Sequence, residues 1–85
     1  MKIKLPSVED VLNRTNWTGL SLAELVAAGR VQPNRGADDW IQSMQAEQIK
    51  AGFEVPLDKI GEYVKVWEQL EYEVLDRLVQ IEANA

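Results

Sequence analysis

Apolar residues recur along this chain in four blocks, each bounded by turn or capping residues. After the alternation Lys2-Ile3-Lys4-Leu5, Pro6 biases Leu5 away from the helical region, so residues 1–6 read as a short extended lead-in. Ser7, with Asp10 three residues on, makes a loose capping box. Val8, Val11 and Leu12 then share one face of a short helix that ends near Arg14–Asn16. Trp17-Thr18-Gly19 reads as a turn. Ser21 and Glu24 form a cleaner Ser-x-x-Glu box. Leu22, Leu25 and Val26 mark a second helix over about 22–28, with Gly29 placed as its left-handed C′ residue.

Residues 30–36 contain Pro33, Asn34 and Gly36, all turn formers, and read as the clearest loop of the chain. A third helix is expected from Asp38, whose carboxylate can cap it, with Asp39 favouring the positive end of the dipole. Trp40, Ile41, Met44, Gln48 and Ala51 recur there at helical spacing, and Gly52 closes the element. Phe53-Glu54-Val55-Pro56 is a second break. From Leu57 onward no proline interrupts a long helical pattern. At 100° per residue Ile60, Tyr63, Trp67, Leu70, Val74, Leu78 and Ile81 fall within an arc of roughly 80°, with Glu62, Lys65, Gln69, Glu73, Asp76 and Gln80 opposite. Glu73 and Arg77 stand in the favourable i,i+4 order.

The same segment fits a heptad. Leu57, Ile60, Val64, Trp67, Glu71, Val74, Leu78 and Ile81 take successive a and d positions, and Glu71 is the one charged residue among them. Tyr63, Leu70 and Leu75 widen the stripe beyond a narrow two-stranded seam, which suits a bundle. The pattern therefore predicts an all-α fold: a single small domain over 1–85, with three short helices packed on one long C-terminal amphipathic helix of about 57–83. That helix would span roughly 40 Å at 1.5 Å per residue, against a diameter of roughly 30 Å for a spherical globule of this size. The mismatch leads to the expectation of a helical-bundle dimer, in which a second copy covers the excess apolar length.

Composition changes this picture mainly by exclusion. The chain has 85 residues with no cysteine and no histidine. Disulfides and thiolate sites are thus excluded, as are the commonest general base and the commonest metal ligand. Five glycines are scattered and form no phosphate loop. Asp38-Asp39 and Glu68/Glu71 are the nearest approach to a hard-cation pair, but they read as helix capping and a charged face, and the EF-hand spacing is absent. No cofactor, metal, catalytic residue or small-molecule substrate is expected. No apolar run approaches the roughly 18 residues of a membrane span. Lys2 and Lys4 are not followed by an apolar signal region, so the expected location is the cytoplasm.

The net charge of −5 is unevenly placed, with residues 54–85 holding eight acids against three bases. An acidic chain is a poor partner for phosphate backbones or anionic membranes. The expected function is accordingly a non-catalytic protein–protein interaction module, such as an assembly adaptor, chaperone or inhibitor among phage or bacterial accessory proteins. It would bind another protein, itself, or both, through Ile60, Val64, Trp67, Glu71, Val74, Leu78 and Ile81. The alternative is a small DNA-binding regulator that dimerises through the last helix and sets the Arg30–Arg35 loop on phosphate.

Overall fold

A computed structural model describes residues 5–85; the lead-in expected over 1–4 lies outside the described residues. The fold is all-α, and three helices pack on a long C-terminal one. They are α1 (Val8–Asn13), α2 (Leu22–Ala27), α3 (Pro33–Lys50) and α4 (Ile60–Ala83). Both expected capping boxes are present: Ser7 Oγ accepts the Asp10 amide at 3.1 Å and Ser21 Oγ accepts the Glu24 amide at 3.1 Å, while each acid reaches back to its cap amide. Gly29 closes α2 at φ +72° and Gly52 closes α3 at φ +95°, a conformation that costs a side chain roughly 1 kcal/mol or more. The long pattern from Leu57 begins as a single 3-10 turn, Leu57–Lys59, and becomes α-helical only at Ile60.

The third helix corrects the sequence reading. It begins at Pro33, not Asp38, so the expected loop over 30–36 shrinks and Arg35 sits in the first turn of α3. Pro33 occupies the first turn of α3, where its missing N–H costs nothing and its fixed φ suits the helix. Asp38 is not the cap; it lies in the second turn, where its Oδ1 accepts from Gln42 Nε2 at 2.8 Å. Gly36 is not a turn residue either. A Cβ there would stand 2.8 Å from Leu22 Cδ1 and 3.0 Å from Val31 Cγ1, with Leu78 Cδ1 at 3.7 Å. The glycine is the point where α3 passes close to α2 and α4.

Because Gly36 meets Leu78 while Ile41 and Gln45 meet Val64 and Trp67, α3 and α4 run antiparallel. α1 and α2 lie across this pair. Their Val11, Leu12, Leu22 and Val26 join Ala37 and Ile41 of α3 and Trp67, Leu70, Val74 and Leu78 of α4 in one core. Phe53 stacks on Tyr63 (ring centroids 6.0 Å apart) and Tyr63 meets Trp67 edge-on (6.2 Å), which docks the α3–α4 connection onto α4. Arg77 pairs with Glu9 of α1 at 2.8 Å rather than with Glu73, so a cation expected to brace its own helix joins two helices instead.

The molecule measures 42 × 24 × 17 Å. An α-helix of 24 residues is roughly 36 Å long, and thus fits within the long axis. The overshoot expected for a spherical globule does not arise, because α3, at 18 residues, lies alongside and draws the fold out. The length argument for a dimer falls with it.

Candidate interaction surface

The seven residues singled out on the last helix divide into two groups. Trp67, Val74 and Leu78 are enclosed in the chain's own core, at 2% exposure or less. Ile81 is half-buried and packs against the same core. Ile60 and Val64 are exposed, Val64 by 51%, and Glu71 is half-buried. Of the seven, Ile60, Val64 and Glu71 are reachable from solvent; Trp67, Val74 and Leu78 hold the fold together.

The exposed members continue onto residues that the periodicity did not single out. Val64 shares a notch of about 140 Å³ with Ile41 and Gln45 of α3 and with Trp67, Glu68 and Glu71 of α4. No residue of α1 or α2 lines it. Helical spacing carries the α3 ridge from Ile41 and Gln45 on to Ile49, and the α4 ridge from Val64 back to Ile60. Ile49 is 63% exposed and Leu57, on the turn just before α4, is 89% exposed. The result is a groove between α3 and α4 with an apolar end at Ile49, Ile60 and Val64 and an acidic end at Glu68 and Glu71.

Electrostatics mark the acidic end. The Glu71 carboxyl is raised above its ordinary range, first by partial burial and then by the negative charges of Asp38 and Glu68. The described ion pairs are made elsewhere: Arg14 with Glu47, Lys59 with Glu62 and Arg77 with Glu9. Glu47 moves the opposite way, held below its ordinary value chiefly by the hydrogen bond from Arg14. Among the described residues no group of three or more acids is arranged to hold a metal ion.

Two other features lie apart from this groove. Trp17 stands 93% exposed at the tip of the α1–α2 loop. Asn16 Oδ1 accepts the Thr18 amide at 2.9 Å, Asn16 donates to Leu20 O at 3.1 Å, and Gly19 takes φ +81°, so the loop backbone is well tied. The turn was legible in the sequence; the exposure of its tryptophan was not. A cleft of about 490 Å³ opens between the α1 side and α3, bordered by Pro6, Arg14, Met44, Glu47 and Trp67. Of its charged groups, Arg14 and Glu47 are paired with each other and Asp10 accepts the Ser7 amide in the α1 cap. Arg30 and Arg35 are both exposed, but they now belong to a short turn and a helix start, not to one loop.

No described helix is long and apolar enough to cross a membrane. Comparison with protein-family models, with curated proteins and with solved structures finds no match to this chain.

Proposed function

We propose that this chain is a non-catalytic protein-interaction module, an adaptor, chaperone or inhibitor of a larger assembly, working through the exposed edge of α4 and the adjoining edge of α3. The observation that carries this reading is the exposure of Leu57, Ile60 and Val64, at helical spacing along one edge of α4 and the turn before it, together with that of Ile49 on α3. Single exposed apolar residues are ordinary, but a contiguous strip rimmed by charge is the usual mark of an interface. The core is complete without these four side chains, so selection for folding alone does not account for them. In this reading Trp67, Val74 and Leu78 set the position of the strip, and Ile60, Val64 and Glu71 meet the partner.

A photo-crosslinking residue placed at position 64 tests the reading in cells that make the protein, with position 69, exposed on the α1 side of α4, as the comparison. The expected result is a discrete protein adduct from 64 and none from 69. Absence of any protein adduct at 64, or equal labelling from both positions, overturns it.

A further inference from the structure

The α3–α4 groove also restricts what kind of protein can lie in it; this inference rests on the interaction reading above and sharpens it. Two features of the groove follow each other along α4. Exposed Ile60 and Val64, with exposed Ile49 on the α3 ridge that helical spacing continues from Ile41 and Gln45, form the apolar end. Seven residues beyond Val64, two helical turns or roughly 10 Å, Glu71 and its neighbour Glu68 border the notch beside Trp67. Glu71 is half-buried there, and Asp38 of α3 adds its charge from the other side. No described lysine or arginine pairs with any of these three acids. The nearest candidate by sequence, Arg35, is exposed one turn before Asp38 and makes no described ion pair.

An occupant must therefore satisfy an apolar strip and relieve uncompensated negative charge two turns away. A second copy of this chain fails on the second count. Laid in parallel it sets Glu71 against Glu71; laid antiparallel it presses both carboxylates onto apolar residues without a counter-charge, which is costly. A helix with apolar residues at i and i+4 and Arg or Lys at i+8 and i+11 meets both conditions, since Ile60, Val64, Glu68 and Glu71 have the same spacing along α4. We propose that the groove between α3 and α4 receives one basic amphipathic helix from another protein, its apolar residues on Ile49, Ile60 and Val64 and its cationic head groups at Glu68 and Glu71.

The test uses the full chain and two synthetic helices of about 18 residues, long enough to cover five turns. Both carry Leu at i and i+4; one has Arg at i+8 and i+11, the other Glu. Amide chemical shifts followed by NMR should move at 45–49 and 60–71 with the Arg peptide, and its affinity should exceed that of the Glu peptide by about tenfold or more. Replacing both acids, Glu68→Gln with Glu71→Gln, should remove most of that preference. Glu73→Gln, on the α1 side of α4 and away from the notch, should leave it unchanged. Thermal melts of these surface variants verify that all are folded. Equal binding of the two peptides overturns the proposal, as does failure of the Arg peptide to bind. A homodimer at about 100 μM protein in sedimentation equilibrium, with the position-64 crosslink joining two copies, also overturns it. If the crosslink at 64 captures a foreign segment that is acidic or uncharged, the charge inference falls and the interaction reading stands; no adduct at all fells both.

Discussion

The two ends of α4 carry the same kinds of side chain and differ in what covers them. From Trp67 to Leu78 the stripe is closed: Trp67, Leu70, Val74 and Leu78 meet α1, α2 and the first half of α3, and no more than 5% of any of them is exposed. From Leu57 to Val64 the stripe is open: Leu57, Ile60 and Val64 are exposed, and so is Ile49 of α3. The difference comes from the side that α1 and α2 cover. They and the residues before α1 border Met44, Glu47, Gln48 and Ala51 of α3 and Lys65, Val66 and Leu70 of α4, whereas no residue of α1 or α2 borders the notch at Val64. Amphipathic periodicity states that a face is apolar; the side on which neighbouring helices lie decides whether the chain covers it or leaves it in solvent.

The sharpest break of this comparison is truncation on either side of it. Trp67→Ala should cost about 3–5 kcal/mol, the usual loss for emptying a buried tryptophan site, which is a large share of the stability of a domain this small. Leu57→Ala, at the open end, should stay within about 0.5 kcal/mol. Urea denaturation of the two variants gives both numbers. Equal losses would mean that the open end is covered in solution.

The two helical glycines repeat the contrast at smaller scale. Gly36 stands at the closed end, where an added Cβ runs into the fully buried Leu22 and into Val31. Gly61 stands at the open end, with nothing within 4 Å of an added Cβ. Gly61→Ala should stabilise the chain by about 0.5–1 kcal/mol through helix propensity. Gly36→Ala has the same propensity gain, but overpacking costs about 1–3 kcal/mol, so a net loss of about 1 kcal/mol is expected. Thermal or chemical melts giving the same sign for both would show that Leu22 and Val31 yield freely and that the closed end is loosely packed.

How far the sequence speaks follows the same division. Local chemistry was legible: Ser7, Ser21, Gly29 and Gly52 act as the caps their residue types imply, and the long helix lies where the period placed it. The start of α3 was not. Pro33-Asn34-Arg35-Gly36 has the composition of a turn, and only the close approach of Leu22 and Leu78, residues distant in sequence, explains a glycine inside a helix there. Of the surface proposed here, Ile60, Val64 and Glu71 could be named from the heptad. Ile49 could not, because its exposure depends on which side of α3 the α1 segment covers, and that segment borders Glu47, Gln48 and Ala51 instead. Trp67, Val74 and Leu78 share the same periodic signal as Ile60 and Val64; nothing in the pattern separates an enclosed position from an uncovered one.

Between the two ends lies Tyr63, half-buried between Phe53 and Trp67, with no hydrogen-bond partner for its hydroxyl among the described residues. A buried, unpaired hydroxyl carries a desolvation cost without return. Tyr63→Phe keeps both ring contacts and should be neutral or stabilising by up to about 1 kcal/mol, measured by chemical denaturation. A loss of that size would mean that the hydroxyl is bonded in solution and that the boundary between closed and open ends lies nearer Trp67.

The smallest effect concerns charge and bears most directly on the groove. Folding raises the Glu71 carboxyl and lowers that of Glu47. For Glu71 the folded chain holds the proton more tightly than the unfolded one, so ionisation works against folding as pH rises beyond the ordinary carboxylate range near about 4. Glu71→Gln should therefore raise Tm slightly at pH 7, and the gain should vanish below that range, where parent and variant are both uncharged at this position. For Glu47 the sign reverses: its pairing with Arg14 stabilises above the ordinary carboxylate range and is lost as pH falls through the lowered folded value, so Glu47→Gln should lower Tm slightly at pH 7 and have no effect in acid. A pH series of melts on both variants measures the two trends. Adding the Arg-bearing helix to the parent should cancel the Glu71 penalty, because a guanidinium in the notch stabilises the charged carboxylate, and leave the Glu47 trend as it was. Opposite trends that persist unaltered with that peptide bound would place its arginines away from Glu71 and end the case for the acidic notch as its docking point.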